Sequence, residues 1–180
     1  METIEKTKLA TIWLSGCSGC HMSFLDQDEL LMDLAQKVQL VYSPIADIKI
    51  FPENVDVTLV EGAVANEEQL DLLKKARART KILISLGDCA VTGNVTALRN
   101  AWSDSDRAVL EREFIENSDV NAQIPTDVPK LLKKVRPLHE VVKVDYFIPG
   151  CPPDAGLINY VLTELLAGRA PNMEGRSKYG

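Results

Sequence analysis

Short apolar, β-prone runs alternate along this chain with stretches whose apolar residues recur at helical spacing. Residues 8–14 (KLATIWL) form the first run and end in Ser15-Gly16, as a buried strand ends in a turn. Between 23 and 38, Leu25, Leu30, Leu31, Leu34 and Val38 fall on one helical face with Asp26, Asp28 and Glu29 in the first turns, which predicts a single helix that begins at these acids or offers them to a partner. Residues 38–42 read as a second strand and 55–60 (VDVTLV) as a third, closed by Glu61-Gly62. Asn66 with Gln69 three positions later resembles a capping box for a helix to Arg79, whose basic end suits the helix dipole. Residues 81–86 (KILISL) predict a fourth strand broken by Gly87, and 95–102 a short helix. The polar, acidic stretch 103–126 reads as irregular, and the basic run 130–136 as the solvated face of a helix. Residues 141–148 predict a fifth strand, closed by Pro149-Gly150, before a helix capped by Asp154 that runs to Ala167 and stops at Gly168.

This alternation predicts an α/β fold: a flavodoxin-like three-layer sandwich around a mostly parallel five-stranded sheet in the order 2-1-3-4-5. The 180 residues suit one domain, 1–180, with a polar excursion at 103–126 and a tail at 169–180 that is expected to order only on a partner. No repeat or low-complexity tract interrupts it.

Composition narrows the function classes. A net charge of -6 disfavours nonspecific nucleic-acid binding, which needs clustered Lys and Arg. No run reaches the ~18 to 20 apolar residues of a membrane span, and neither a signal peptide nor a twin-arginine pair is visible, so a cytoplasmic location is expected. In that compartment thiols stay reduced, and the four cysteines read as ligands rather than as two disulfides.

Those cysteines are Cys17, Cys20, Cys89 and Cys151, each next to or near glycine where an apolar run gives way to a turn. In an open parallel sheet the loops leaving the strands' carboxyl ends share one edge, so strands one, four and five bring all four thiols together, and Glu61 at the end of strand three points to the same edge. Four converging thiolates can hold an iron–sulfur cluster or a tetrahedral zinc. A full sheet with only one C-x-x-C pair favours the cluster over a zinc staple, and a thioredoxin-like reading of Cys17-x-x-Cys20 leaves Cys89 and Cys151 unexplained. A nucleotide or flavin is the competitor in such a fold, but the loop after strand one reads SGCSGC, with neither dinucleotide nor P-loop glycine pattern. The glycines at 16, 19, 87, 93 and 150 permit close approach of backbone to a cluster, though for Gly62, Gly93 and Pro44 plain turns explain as much. Pro152 and Pro153 bring no N–H to their side.

At 13–26 (WLSGCSGCHMSFLD), 60–64 (VEGAV), 87–94 (GDCAVTGN) and 149–153 (PGCPP), the chain resembles the small subunit of nickel–iron hydrogenases, most closely the short form in the NAD-reducing, bidirectional group. The resemblance implies that Cys17, Cys20, Cys89 and Cys151 bind one [4Fe–4S] cluster. It also implies that the Ni–Fe centre lies in a separate large subunit, and that further clusters, FMN and NAD belong to iron–sulfur/flavin diaphorase subunits. This chain would then pass electrons in H2 + NAD+ = NADH + H+ and split no hydrogen alone. Glu61 matches the family glutamate associated with proton relay near the large subunit. The plain alternative, a strand-end acid capping the helix at Asn66, stands beside that role. Related families remain in view: the NADH dehydrogenase subunit, which typically carries adjacent cysteines in its first motif, and the longer small subunits of coenzyme-F420- or methyl-viologen-type hydrogenases. His21 reads as loop packing, with a hydrogen bond toward cluster sulfur or the partner subunit as the alternative, His139 as exposed, and Trp13 and Phe24 as core or interface packing.

Overall fold

The computed structural model describes residues 6–176, 178 and 179; residues 1–5, 177 and 180, which the domain and tail expectations also cover, lie outside them. The chain runs β1 (Thr7–Trp13), α1 (Gly19–Leu25), α2 (Leu30–Lys37), β2 (Val38–Tyr42), β3 (Val55–Glu61), β4 (Val64–Asn66), α3 (Glu67–Arg79), β5 (Thr80–Leu86) and α4 (Asp88–Thr92). A 3₁₀ segment at Asn94–Ala101 leads to α5 (Ser105–Glu111), β6 (Leu131–Arg136), β7 (Tyr146–Ile148) and α6 (Ala155–Leu166). Five strands form one sheet in the order β2-β1-β3-β5-β7, every neighbouring pair parallel. This is the predicted order, and the sheet is wholly rather than mostly parallel.

Strand residues feed two cores in alternation, because successive side chains point to opposite faces. Leu9, Val57, Leu59, Ile84 and Leu86 pack with Leu34 of α2 and Leu157, Ile158, Val161 and Leu162 of α6. Ala10, Ile12, Val60 and Leu83 pack with Leu73 and Ala76 of α3 and Ala90 of α4 on the other face. The result is a three-layer sandwich, in which each fully buried Leu or Ile contributes roughly 1.5 to 3 kcal/mol. Among the described residues no helix is long and apolar enough to cross a membrane.

The predicted helix over 23–38 is two helices. Gln27 is buried at the break, where its Nε2 donates to the Phe24 carbonyl and its Oε1 accepts from Asn159 of α6. Turning Gln27 inward costs the helix its continuity, and Asp28 adopts φ 49. Asp26 therefore caps the end of α1 and Glu29 precedes α2, so the acids do not begin one long helix. The basic run expected on a helix is β6, which pairs antiparallel with β4 in a small second sheet; Val135 turns inward while Lys133 and Lys134 face out. The stretch 103–126 is not wholly irregular, since it carries α5 and a π-helical turn at Arg112–Glu116. Part of the tail contacts this chain: Met173 packs against the first core, and the Tyr160 hydroxyl accepts from the Asn172 N–H.

The fifth strand is also shorter than its apolar run. Val141, Val142 and Val144 pack against the second core instead of pairing, and pairing begins only at Tyr146. Just before it, Asp145 Oδ2 accepts the Leu83 N–H at 2.9 Å and an Arg77 Nη1 donation at 2.5 Å. The carboxylate thus takes over a ladder position. Burial works to raise its pKa, but the Leu83 N–H and the Arg77 guanidinium hold it below the ordinary carboxylate range. A depressed folded pKa gives stability that is complete above the unfolded value near 4 and is lost as pH falls from there through the folded value. Asp145→Ala is expected to cost about 1.5 to 3 kcal/mol in urea denaturation at neutral pH, and to remove that share of the acid dependence.

Candidate metal–sulfur centre

Parallel pairing puts the exits of β1, β3, β5 and β7 at one edge, and the predicted residues stand on those exits. Cys17 and Cys20 follow β1, Glu61 ends β3, Cys89 follows β5 and Cys151 follows β7. Backbone bonds lash the loops together: Gly87 N–H donates to Ile148 O at 2.8 Å and Asp88 N–H to Gly150 O at 2.9 Å. Asp88 Oδ1 accepts the Gly150 N–H at 2.7 Å in return. Ser23 Oγ donates to the Pro153 carbonyl, joining α1 to the Cys151 loop.

Two glycines make this approach possible. A Cβ on Gly87, at φ 81, would sit 2.2 Å from Cys20 Sγ, and one on Gly62, at φ 86, would sit 2.8 Å from the Ser15 carbonyl oxygen. Gly62 is therefore required by close packing of the first loop and is more than a turn residue.

The four thiols sense one another. Cys20 is buried, and burial first, then Glu61, Cys89, Cys17 and Cys151, push its pKa up. Cys89 is also raised, by burial and then by Cys151, Cys17 and Glu61, while a Thr96 backbone N–H on its sulfur works the other way. Asn94 Nδ2 lies 3.5 Å from Cys151 Sγ as a donor. Among the described residues no group of three or more His, Cys, Asp or Glu is arranged to hold a metal ion. Four thiols at one sheet edge are soft donors of the kind that hold zinc or an iron–sulfur core.

Glu61 is buried and does not cap the helix at Asn66; that helix is capped by the Asn66 side chain, which accepts the Gln69 N–H. Gln69 completes no capping box, because its Oε1 accepts from the Ala65 N–H and Ser15 Oγ. Glu61 Oε2 instead accepts the His21 N–H at 2.9 Å and contacts His21 Nδ1. His21 is thus tied to Glu61, and its buried Nε2 has no hydrogen-bond partner among the described residues. His139 is exposed, with its ring edge-on to Phe147. Trp13 is half-exposed, with Nε1 donating to the Gly16 carbonyl, whereas Phe24 packs on the first core. Sequence reasoning missed Asp88 and Ser23; the one available signal was an aspartate beside Cys89 within the GDC motif, which proves to be nearly inaccessible.

The model of the family described as NADH ubiquinone oxidoreductase, 20 Kd subunit, matches residues 17–165. The chain belongs to that family. Family membership implies iron–sulfur cluster binding. The chain is 46% identical over 170 residues to the delta subunit of the NAD-reducing hydrogenase HoxS of Cupriavidus necator, covering 91% of this chain and 80% of that one. It is 40% identical over 170 residues to a subunit of the F420-non-reducing hydrogenase of Methanothermobacter marburgensis, covering 91% of this chain but 54% of the relative, so the chain spans about half that relative's length. Among solved structures, a chain of NAD+-reducing [NiFe]-hydrogenase in the H2-reduced state superposes with a TM-score of 0.92 at 39% identity, covering 98% of this chain and 100% of that chain. The [NiFeSe]-hydrogenase of Dm. baculatum, at 15% identity and a TM-score of 0.56, shares the fold alone. The chain is therefore a homologue of the small, electron-transfer subunit of NAD-reducing [NiFe] hydrogenase. The matching family carries the dehydrogenase subunit's description, and the relative and the structure that match over most of both chains are NAD-reducing hydrogenase subunits.

Gly87→Ala is expected to lower stability by at least about 1 to 2 kcal/mol from backbone strain alone, with a further loss from displacing Cys20. Thermal unfolding followed by circular dichroism would show it as a lowered midpoint.

Proposed function

We propose that this chain is the electron-transfer small subunit of a cytoplasmic NAD-reducing [NiFe] hydrogenase, folded as one domain, with Cys17, Cys20, Cys89 and Cys151 holding one [4Fe–4S] cluster. It works against a large subunit bearing the Ni–Fe centre and hands electrons to iron–sulfur/flavin diaphorase subunits that carry further clusters, FMN and NAD. The observation that carries this reading is the placement of four cysteines just past strand ends at one sheet edge, in a chain similar over nearly its full length to a subunit of such an enzyme. When bound, the cluster supplies one-electron transfer with little reorganisation, because the charge spreads over several atoms.

The chain's own residues prepare that task. Burial of Cys20 keeps water from one corner, and the Thr96 N–H and Asn94 Nδ2 aim donors at the Cys89 and Cys151 sulfurs, favouring added negative charge. Glu61 can act in proton transfer toward the large subunit. His21 occupies its Oε2, which leaves Oε1, facing Gly16, as the atom to take or release a proton.

Replacing any one of the four cysteines with alanine is expected to remove most of the iron and of the broad visible absorption contributed by this subunit; unchanged iron in all four variants would refute the ligand set. Glu61→Gln is expected to keep the iron while slowing hydrogen–deuterium exchange by the complex by about tenfold or more. Exchange at the wild-type rate would remove Glu61 from the proton path.

A further inference from the structure

The Cys151 corner of the centre opens toward the chain's polar tail. Pro152 and Pro153 follow the cysteine and have no N–H, and among the described residues the hydrogen bond to its sulfur comes from Asn94 at 3.5 Å. Cys151 is also exposed, unlike Cys20. What faces this corner instead is the polar tail. Arg176 and Lys178 line, together with Cys151, Pro152, Pro153 and Asp154, one cleft of about 450 Å³.

Several described tail residues are held by this chain's own contacts. Arg176 stacks over the Tyr160 ring of α6, 4.4 Å from its centroid. Met173 is packed into the first core, and Arg169 grips Glu164 through two hydrogen bonds of 2.8 and 2.5 Å. Among the described residues that line the cleft, Asp154 is the one carboxylate, and its Oδ1 already accepts the Leu157 N–H as a helix cap. Two cations therefore face one engaged carboxylate among these residues.

We propose that Arg176 and Lys178 act as an electrostatic counter-charge for the centre at Cys151, making it easier to reduce than it would be without them. The inference rests on Cys151 being a cluster ligand. Reduction adds one negative charge, taken as a single electron from the hydrogen-splitting partner and passed on to the next carrier, so no further reactant is needed. A nearby fixed cation stabilises that added charge more than the oxidised state. The tail would thereby do with side-chain charge what backbone N–H groups do elsewhere around the site.

The test is a potentiometric titration of the anaerobically purified complex, followed by electron paramagnetic resonance of the signal that Cys151→Ser abolishes or alters. At a fixed potential near the wild-type midpoint, Arg176→Gln with Lys178→Gln should lower the ratio of reduced to oxidised centre on the order of three- to tenfold. Arg176→Lys with Lys178→Arg, which keeps both charges, should leave the ratio within about twofold of wild type. Should the neutral pair fail to assemble, Lys178→Gln alone, at an exposed position, should show a smaller shift of the same sign. An unmoved ratio in the neutral variants, or an equal fall in the charge-preserving pair, would overturn the proposal while leaving the cluster ligands intact. A wild-type signal indifferent to Cys151→Ser would overturn the ligand reading and the inference with it.

Discussion

Parallel pairing makes β1, β3, β5 and β7 leave the sheet in the same direction, and every feature of the site depends on that constraint. Residues separated by more than 130 positions become neighbours because their strands end at one edge. The sheet needs no cysteine to fold this way; its two cores are built mainly of Leu, Ile, Val and Ala, with Phe51 in one and Cys20 in the other. Stability and chemistry are thus divided between the sheet and the loops past its edge. The loops are then drawn tight by bonds whose partners lie far apart in sequence, such as Asp88 with Gly150 and Ser23 with Pro153.

Drawing thiols together carries an electrostatic penalty. Burial and neighbouring negative charge both resist ionisation of Cys20 and Cys89, and Glu61 adds to the resistance. Such a site is poorly suited to hold four free thiolates and well suited to a positively charged core that reverses the balance. The same reasoning gives meaning to small donors at the rim. An amide from Asn94, a backbone N–H from Thr96 and the tail's cations each meet negative charge that the loops cannot themselves neutralise.

Much of this was legible from residues alone, for a physical reason. Central parallel strands are buried on both faces, so KLATIWL, VDVTLV and KILISL read as near-continuous apolar runs, and the glycine-cysteine steps that follow mark their exits. What was hidden depended on partners that no local pattern encodes. Gln27 breaks a helix because Asn159 waits for it in α6. Val141, Val142 and Val144 look like a strand but pack as a loop, since Asp145 takes the ladder bond at Leu83. The run LLKKVR suggests a basic helix face, yet it pairs with the three residues of β4, too short to signal themselves. At the site, the four cysteines and Glu61 were placed at the correct edge, while the Glu61–His21 contact and the inward Asp88 emerged only from the fold.

Anomalous diffraction at the iron absorption edge is the decisive measurement of whether these four cysteines share one iron–sulfur core. Anaerobically grown crystals of the complex should show iron density enclosed by the sulfurs of Cys17, Cys20, Cys89 and Cys151, resolving into four sites. A lone peak at the zinc edge with four sulfurs about 2.3 Å away, or no metal peak between those residues, would contradict the account.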